Sequence, residues 1–170
     1  MNIQPMDEAS ARAIARWRYD APYDFYNLNP DEIEQNVAYF ANPQNAFYSI
    51  LSEQGGLAGY CSFGPDGQVP GGDYSQAALD VGIGMRPDLT GHGEGVCYSE
   101  LVFDFACRTF APERLRVTIA AFNQRAQRVC HKLGFHVVQR FLKEPGGVPF
   151  LILVREASNS PLVLIRTRRQ

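Results

Sequence analysis

Gly91, Gly93 and Gly95 alternate with His92 and Glu94 between an apolar stretch ending at Met85 and a run with helical periodicity that begins at once. Glycine lets the main chain come close to a ligand. The first amides of a helix have no partner inside it, so their N–H groups and the positive end of the helix dipole can converge on one spot. The chemistry such a junction serves is the holding of an anion, phosphate above all. A second polar feature lies upstream: Asp80 is an acid inside the otherwise apolar stretch from Leu79 to Met85, and an acid there needs a partner or a task. A third lies downstream, where Asn123 precedes a helical run containing Cys130 and His131. Cys130 shares a face with Ala126, Val129 and Leu133, the place of a small buried hydrophobe, whereas His131 is turned about 100° away and reads as a surface histidine.

Periodicity supplies the elements that must position these residues. Residues 2 to 6 can form a short strand, and Asp7 to Trp17 repeats Ala11, Ile14 and Ala15 on one side of a helix. Trp17, Tyr19, Tyr23, Phe25 and Tyr26 follow as an aromatic cluster broken by Asp20, Pro22 and Asp24, which suits a compact loop. Asn29-Pro30-Asp31-Glu32 is a helix start of cap, proline and two acids, and that helix should run to Phe40. Ala46–Ser52 and Leu57–Phe63 read as an antiparallel hairpin about Gly55-Gly56. Gly64 to Ser75 reads as a surface loop, and Ala77–Met85 as a strand whose Gly82 and Gly84 call for a bulge or a close approach.

A helix from Gly93 to Thr109 carries Cys97, Leu101 and Phe105, and Pro112 ends it. Arg114–Ala120 alternates as a half-buried strand. Asn123 caps a helix closed by Gly134, over which Phe135 can fold. His136–Phe141 and Val148–Val154 are the last two strands, on either side of Pro145-Gly146-Gly147. The order of elements predicts one mixed α/β domain over residues 1–156 with helices on both faces of its sheet, then a tail over 157–170.

The 170 residues carry a formal net charge of -2, which argues against a bulk grip on nucleic acid. The basic cluster at Arg166, Arg168 and Arg169 reads as a solvated terminus. Cys61, Cys97, Cys107 and Cys130 lack metal-site spacing and read as reduced core residues. No metal, nucleic acid or membrane is expected. The N-terminus shows no targeting pattern, which makes the cytoplasm the expected compartment.

Leu79-Asp80-Val81-Gly82-Ile83-Gly84-Met85-Arg86-Pro87, followed by Thr90-Gly91-His92-Gly93-Glu94-Gly95, resembles the fourth strand and the Arg/Gln-x-x-Gly-x-Gly/Ala loop of the GNAT family of acetyl-CoA-dependent N-acetyltransferases. The block from Asn123-Gln124-Arg125-Ala126 to Lys132-Leu133-Gly134-Phe135 resembles that family's second signature. The resemblance implies a largely antiparallel sheet of six to seven strands, splayed between the fourth and fifth, with acetyl-CoA as cosubstrate. It implies direct attack by the primary amine of a small molecule or peptide on the thioester; a homodimer stays open. A CoA-binding module without turnover is the alternative. The loop and its flanks assign Met85, Arg86, Thr90, Gly91, His92, Gly93, Glu94, Gly95, Val96 and Asn123 to the cofactor. In that reading Glu94 turns its carboxylate towards its own first-turn amides, while His92 and Arg86 supplement the phosphate site.

Catalysis would use Asp80 as base, the Met85 amide as oxyanion donor and Cys130 as acid; Asp80 could equally face solvent or satisfy main chain. Two departures stand out: Thr90 replaces the usual Arg or Gln, and Cys130 occupies the position of the family's tyrosine acid. Tyr60 and Tyr98 are further donors. Tyr23, Tyr26 and Asp24 would form the acceptor wall, where aromatic faces and carboxylates suit a cationic amine.

Overall fold

A computed structural model describes residues 1–157. The tail basic cluster and the apolar run Leu162–Ile165 lie outside the described residues. The strands are β1 (Asn2–Pro5), β2 (Phe47–Leu51), β3 (Leu57–Phe63), β4 (Leu79–Met85), β5 (Arg114–Ala120), β6 (His136–Leu142) and β7 (Pro149–Glu156). The helices are α1 (Glu8–Ala15), α2 (Ile33–Ala41), α3 (Gly95–Phe110) and α4 (Gln124–Lys132).

Capping explains the helix starts. Asp7 accepts from the Ser10 amide at 2.7 Å to open α1, and Asn123 accepts from the Ala126 amide at 3.1 Å to open α4. Asn29 instead caps a 3₁₀ turn, Pro30–Glu32, before α2 begins. Gly134 takes φ +83° after α4, the left-handed stop its position predicts.

One seven-stranded sheet runs in the order β1-β2-β3-β4-β5-β7-β6. Every neighbouring pair is antiparallel except β4 and β5, which are parallel and pair only through Leu79 with Leu115 and Asp80 with Arg116. Beyond Asp80 the two strands part. Two apolar clusters hold the layers. The larger joins Val102, Phe103 and Ala106 of α3 and Cys130 of α4 to Leu115, Val117, Leu151 and Leu153 of the sheet. The smaller joins α1 and α2 to Phe47 through Ala11, Ile14, Val37 and Phe40. The helices thus lie in two layers about a split sheet, with burial of apolar surface as the main driving term.

The loop from Gly64 to Ser75 is more ordered by contacts than a plain surface loop. Tyr74 donates or accepts at Thr118 of β5 across 3.1 Å and receives the Val69 amide at 2.8 Å, while the Glu144 amide bonds the Pro70 carbonyl. Gly82 and Gly84 answer a close approach and not a bulge, and Gly59 of β3 does the same. A Cβ on Gly84 would lie within the Tyr60 ring, and one on Gly59 would coincide with the Tyr98 hydroxyl. Cys61 and Cys130 are buried as expected, but Cys97 is exposed.

Candidate active site

The parting of β4 and β5 opens a cleft of about 320 Å³ walled by Val81–Met85 on one side and Val117–Ile119 on the other. Its direction follows from the ladder. The Arg86 amide donates to the Ala58 carbonyl at 2.8 Å, so by the alternation of an antiparallel pair Met85 turns its own N–H and C=O the other way, into the cleft. The Tyr19 hydroxyl agrees with this, donating to the Met85 carbonyl at 2.7 Å. Asn27 holds Tyr19 in place, accepting from its amide at 2.7 Å and donating to its carbonyl at 3.1 Å.

At the mouth of the cleft Gly91 and Gly93 take φ +86° and +88°, values that only glycine adopts readily. The chain then enters α3, whose first bonded amide is Tyr98, donating to the Glu94 carbonyl. No amide from Gly91 to Cys97 has a hydrogen-bond partner among the described residues. Unpaired main-chain donors at a helix N-terminus form an anion cradle. Arg125 adds a cation: its guanidinium lies 3.7 Å from where a Gly91 Cβ would stand and 4.8 Å from the centre of the Tyr23 ring. Periodicity places Arg125 on the polar face of α4; only the packing shows that this face borders the loop.

The site residues expected from sequence divide accordingly. Met85, Thr90, Gly91, Glu94, Gly95, Asn123, Cys130, Tyr23 and Tyr26 line the cleft. The Thr90 hydroxyl is occupied locally, donating to the Pro87 carbonyl at 2.8 Å. Asn123 caps α4 and also donates to the Tyr26 hydroxyl at 3.2 Å. Burial pushes the Cys130 thiol up to about 12. Tyr19, Tyr60 and Tyr98 complete the aromatic wall, and of these Tyr19 was legible only as part of an aromatic cluster.

Four expectations are corrected. Asp80 does not line the cleft; it and Arg116 are each 4% exposed and form a forked ion pair, Nε to Oδ1 at 2.6 Å and Nη2 to Oδ2 at 2.8 Å. Gln68 donates to Oδ2 at 2.9 Å, and Arg116 also donates to the Gln76 carbonyl and covers the Tyr74 ring. With both oxygens occupied as acceptors, Asp80 clamps the apex of the splay and is not placed to take a proton from a substrate. Arg86 is bound in fork geometry by Asp88 at 2.7 and 3.0 Å and donates to the Leu57 carbonyl, so all three of its nitrogens are engaged within the protein. Glu94 makes no bond to the first-turn amides. Asp24 is exposed and outside the cleft walls. His92 stays in the loop, its Nε2 3.2 Å from the Asp88 carbonyl.

A seven-stranded sheet split at one parallel pair, with an anion cradle at the mouth of the split, makes a cleft suited to an extended ligand that ends in phosphate. The acetyltransferase (GNAT) domain family matches residues 1–136, and the chain belongs to that family. Among solved structures, yncA of Salmonella typhimurium, solved with its cofactor acetyl-CoA, has a TM-score of 0.64 at 20% identity, covering 94% of this chain and 95% of that one. The spermidine N-acetyltransferase of Vibrio cholerae in complex with CoA and spermine has a TM-score of 0.70 at 13% identity, covering 92% and 95%. A GNAT-family acetyltransferase of Bacillus anthracis has a TM-score of 0.71 at 12% identity, covering 91% and 93%. At these identities the likeness is one of fold. None of the curated proteins matches the chain in sequence.

Proposed function

We propose that the protein transfers the acetyl group of acetyl-CoA to a primary amine by direct attack within a ternary complex. One observation carries the reading: the unpartnered amides of Gly91 to Cys97, which suit the pyrophosphate of CoA. From there the free main-chain edge of β4 offers N–H and C=O groups to a pantetheine arm laid along the split. Arg125, beside Gly91, adds positive charge to the same end.

In this reading the Met85 N–H receives the negative charge that develops on the thioester oxygen. Cys130, a neutral thiol in the cleft wall, returns a proton to the leaving sulfur. Tyr23 and Tyr26 form part of the wall against which the acceptor lies. The neighbours solved with acetyl-CoA and with CoA support the choice of cosubstrate.

The test is calorimetry of the pure protein with CoA and with acetyl-CoA, followed by free-thiol release on a panel of amines. Binding of both, and thiol release that requires an amine, is expected. The rival is a CoA-binding module without turnover, which the engagement of Asp80 by Arg116 and the cysteine in place of a tyrosine favour. Tight binding with no thiol release on any acceptor would establish that rival, and absence of binding would remove both.

A further inference from the structure

The chemistry of the cleft walls restricts the acceptor. Strand β4 contributes only apolar residues and glycine, and β5 contributes Val117, Thr118 and Ile119. Thr90 and Ser99 add aliphatic hydroxyls, which do not act as bases near neutrality, and the other hydroxyls are phenols: Tyr19, Tyr23 and Tyr26 from the segment after α1, Tyr60 from β3 and Tyr98 from α3. A phenol titrates at about 10 in water. Burial pushes Tyr60 up to about 12 and also raises Tyr19, Tyr26 and Tyr98. The Cys130 thiol on α4 is raised likewise. None of these can take a proton near neutrality.

The acidic and basic wall residues, Glu94 and Arg125, stand at the phosphate-loop end. Of the carboxylates just outside the walls, Asp80 is engaged by Arg116 and Asp66 by the hydroxyls of Ser62 and Tyr39 at 3.1 Å each, while Asp20 and Asp24 are exposed to solvent and do not line the cleft. The histidines are elsewhere: His92 in the loop, His131 against the Phe135 carbonyl, His136 exposed on β6. Residues 158–170 contain no Asp, Glu or His.

A neutral amine needs no base among these groups. Its lone pair forms the C–N bond as the C–S bond breaks, the proton lost by nitrogen balances the one gained by sulfur, and amide and thiol are the products. An ammonium carries one proton more, for which the cleft, beyond Glu94, offers no carboxylate or imidazole among the described residues, and it has no lone pair to attack with. Building on the acetyl-transfer reading, we propose that the acceptor is a small, weakly basic primary amine on an apolar or aromatic body, bound as the free base, and that polyamines are not substrates. At pH 7 an α-amino group with a pKa of about 7.7–8.0 is roughly a tenth free base, whereas a lysine-type amine at about 10.4 is free base in roughly one molecule in 2,500.

The experiment follows free-thiol release with acetyl-CoA and phenylalanine amide, an Nα-blocked lysine amide or spermidine, from pH 6 to 9.5. With phenylalanine amide, kcat/KM should rise tenfold per pH unit and level at about 7.7–8.0. With the lysine amide it should still be rising at pH 9.5, and spermidine should give no turnover. A break shared by all acceptors below pH 7, above all one abolished by Glu94→Gln, would overturn the proposal by revealing an enzymic base. Preference for spermidine, or no turnover of phenylalanine amide by protein that binds CoA in calorimetry, would overturn it too. Failure to bind CoA would instead defeat the acetyl-transfer reading beneath it.

Discussion

Substituting Asp80 separates a clamp from a catalytic base. Asp80 and Arg116 are both 4% exposed, and their forked pair is the last rung of the β4–β5 ladder before the strands part. Asp80→Asn keeps the shape and one acceptor oxygen but removes the charge and sets an NH2 donor against the Arg116 or Gln68 donor, leaving a buried guanidinium without a counter-charge. Breaking a buried pair by removing one partner costs about 3–5 kcal/mol, whereas replacing both by apolar residues of similar volume is often close to neutral. Against a total stability of about 5–15 kcal/mol, a single substitution is therefore severe.

Urea unfolding should show Asp80→Asn and Arg116→Met each destabilised by about 3–5 kcal/mol, and Asp80→Leu/Arg116→Met restored to within about 1 kcal/mol of the parent. Turnover per folded molecule of the double variant should stay within about tenfold of the parent, a loss of about 1.4 kcal/mol attributable to a shifted splay. The reasoning fails if Asp80→Asn unfolds like the parent yet loses more than a hundredfold in kcat. That pattern is what loss of a general base, commonly worth about 10²–10⁴, would give.

Gly93→Ala forces a side chain into φ +88° with open space around it. A strain of about 1–2 kcal/mol should weaken CoA binding some 5- to 30-fold in calorimetry, and an unchanged affinity would mean the loop need not hold this shape. Arg125→Ala should raise the CoA dissociation constant by about tenfold, an effect that shrinks as salt screens the exposed charge; insensitivity to salt would refute the electrostatic role. Cys130→Ala should lower kcat by about a hundredfold if the thiol donates the proton, and full activity would hand that task to water or a phenol.

Like Tyr60 and the buried Cys61, the same thiol contributes to an alkaline limit. Its folded pKa of about 12 lies above the free value of 9.0, so the stabilisation it confers is complete below pH 9 and is lost as pH rises towards 12. Cys130→Ala should lose less stability than the parent between pH 9 and 12 in urea titrations, and equal losses would contradict the burial.

Short-range physics explains what could be read in the chain alone. Asn123 and Asp7 as caps, Gly134 as a helix stop and the glycines before α3 each depend on a few neighbouring residues, and all stand in the structure at those positions; β5, read from its alternation as half-buried, is instead covered on both faces, Arg116 included. The anion cradle belongs with them, because a positive-φ glycine loop and a helix start determine where free amides gather whatever packs around them.

Asp80, Arg125 and Tyr19 illustrate what lay out of reach. Asp80 reads as a stranded acid until β5 brings Arg116, 36 residues away, into register beside it. Tyr19 reads as loop packing until its hydroxyl meets the Met85 carbonyl 66 residues on. Arg125 occupies the polar face of its helix, and only the docking of α4 against the loop turns that face towards the cleft. Sequence by itself settled the elements, their caps and the donor-rich loop, since those follow from neighbours along the chain. Tertiary structure alone decided which charges are neutralised and which phenols wall the cleft, because those depend on strand register and helix docking between segments far apart in sequence.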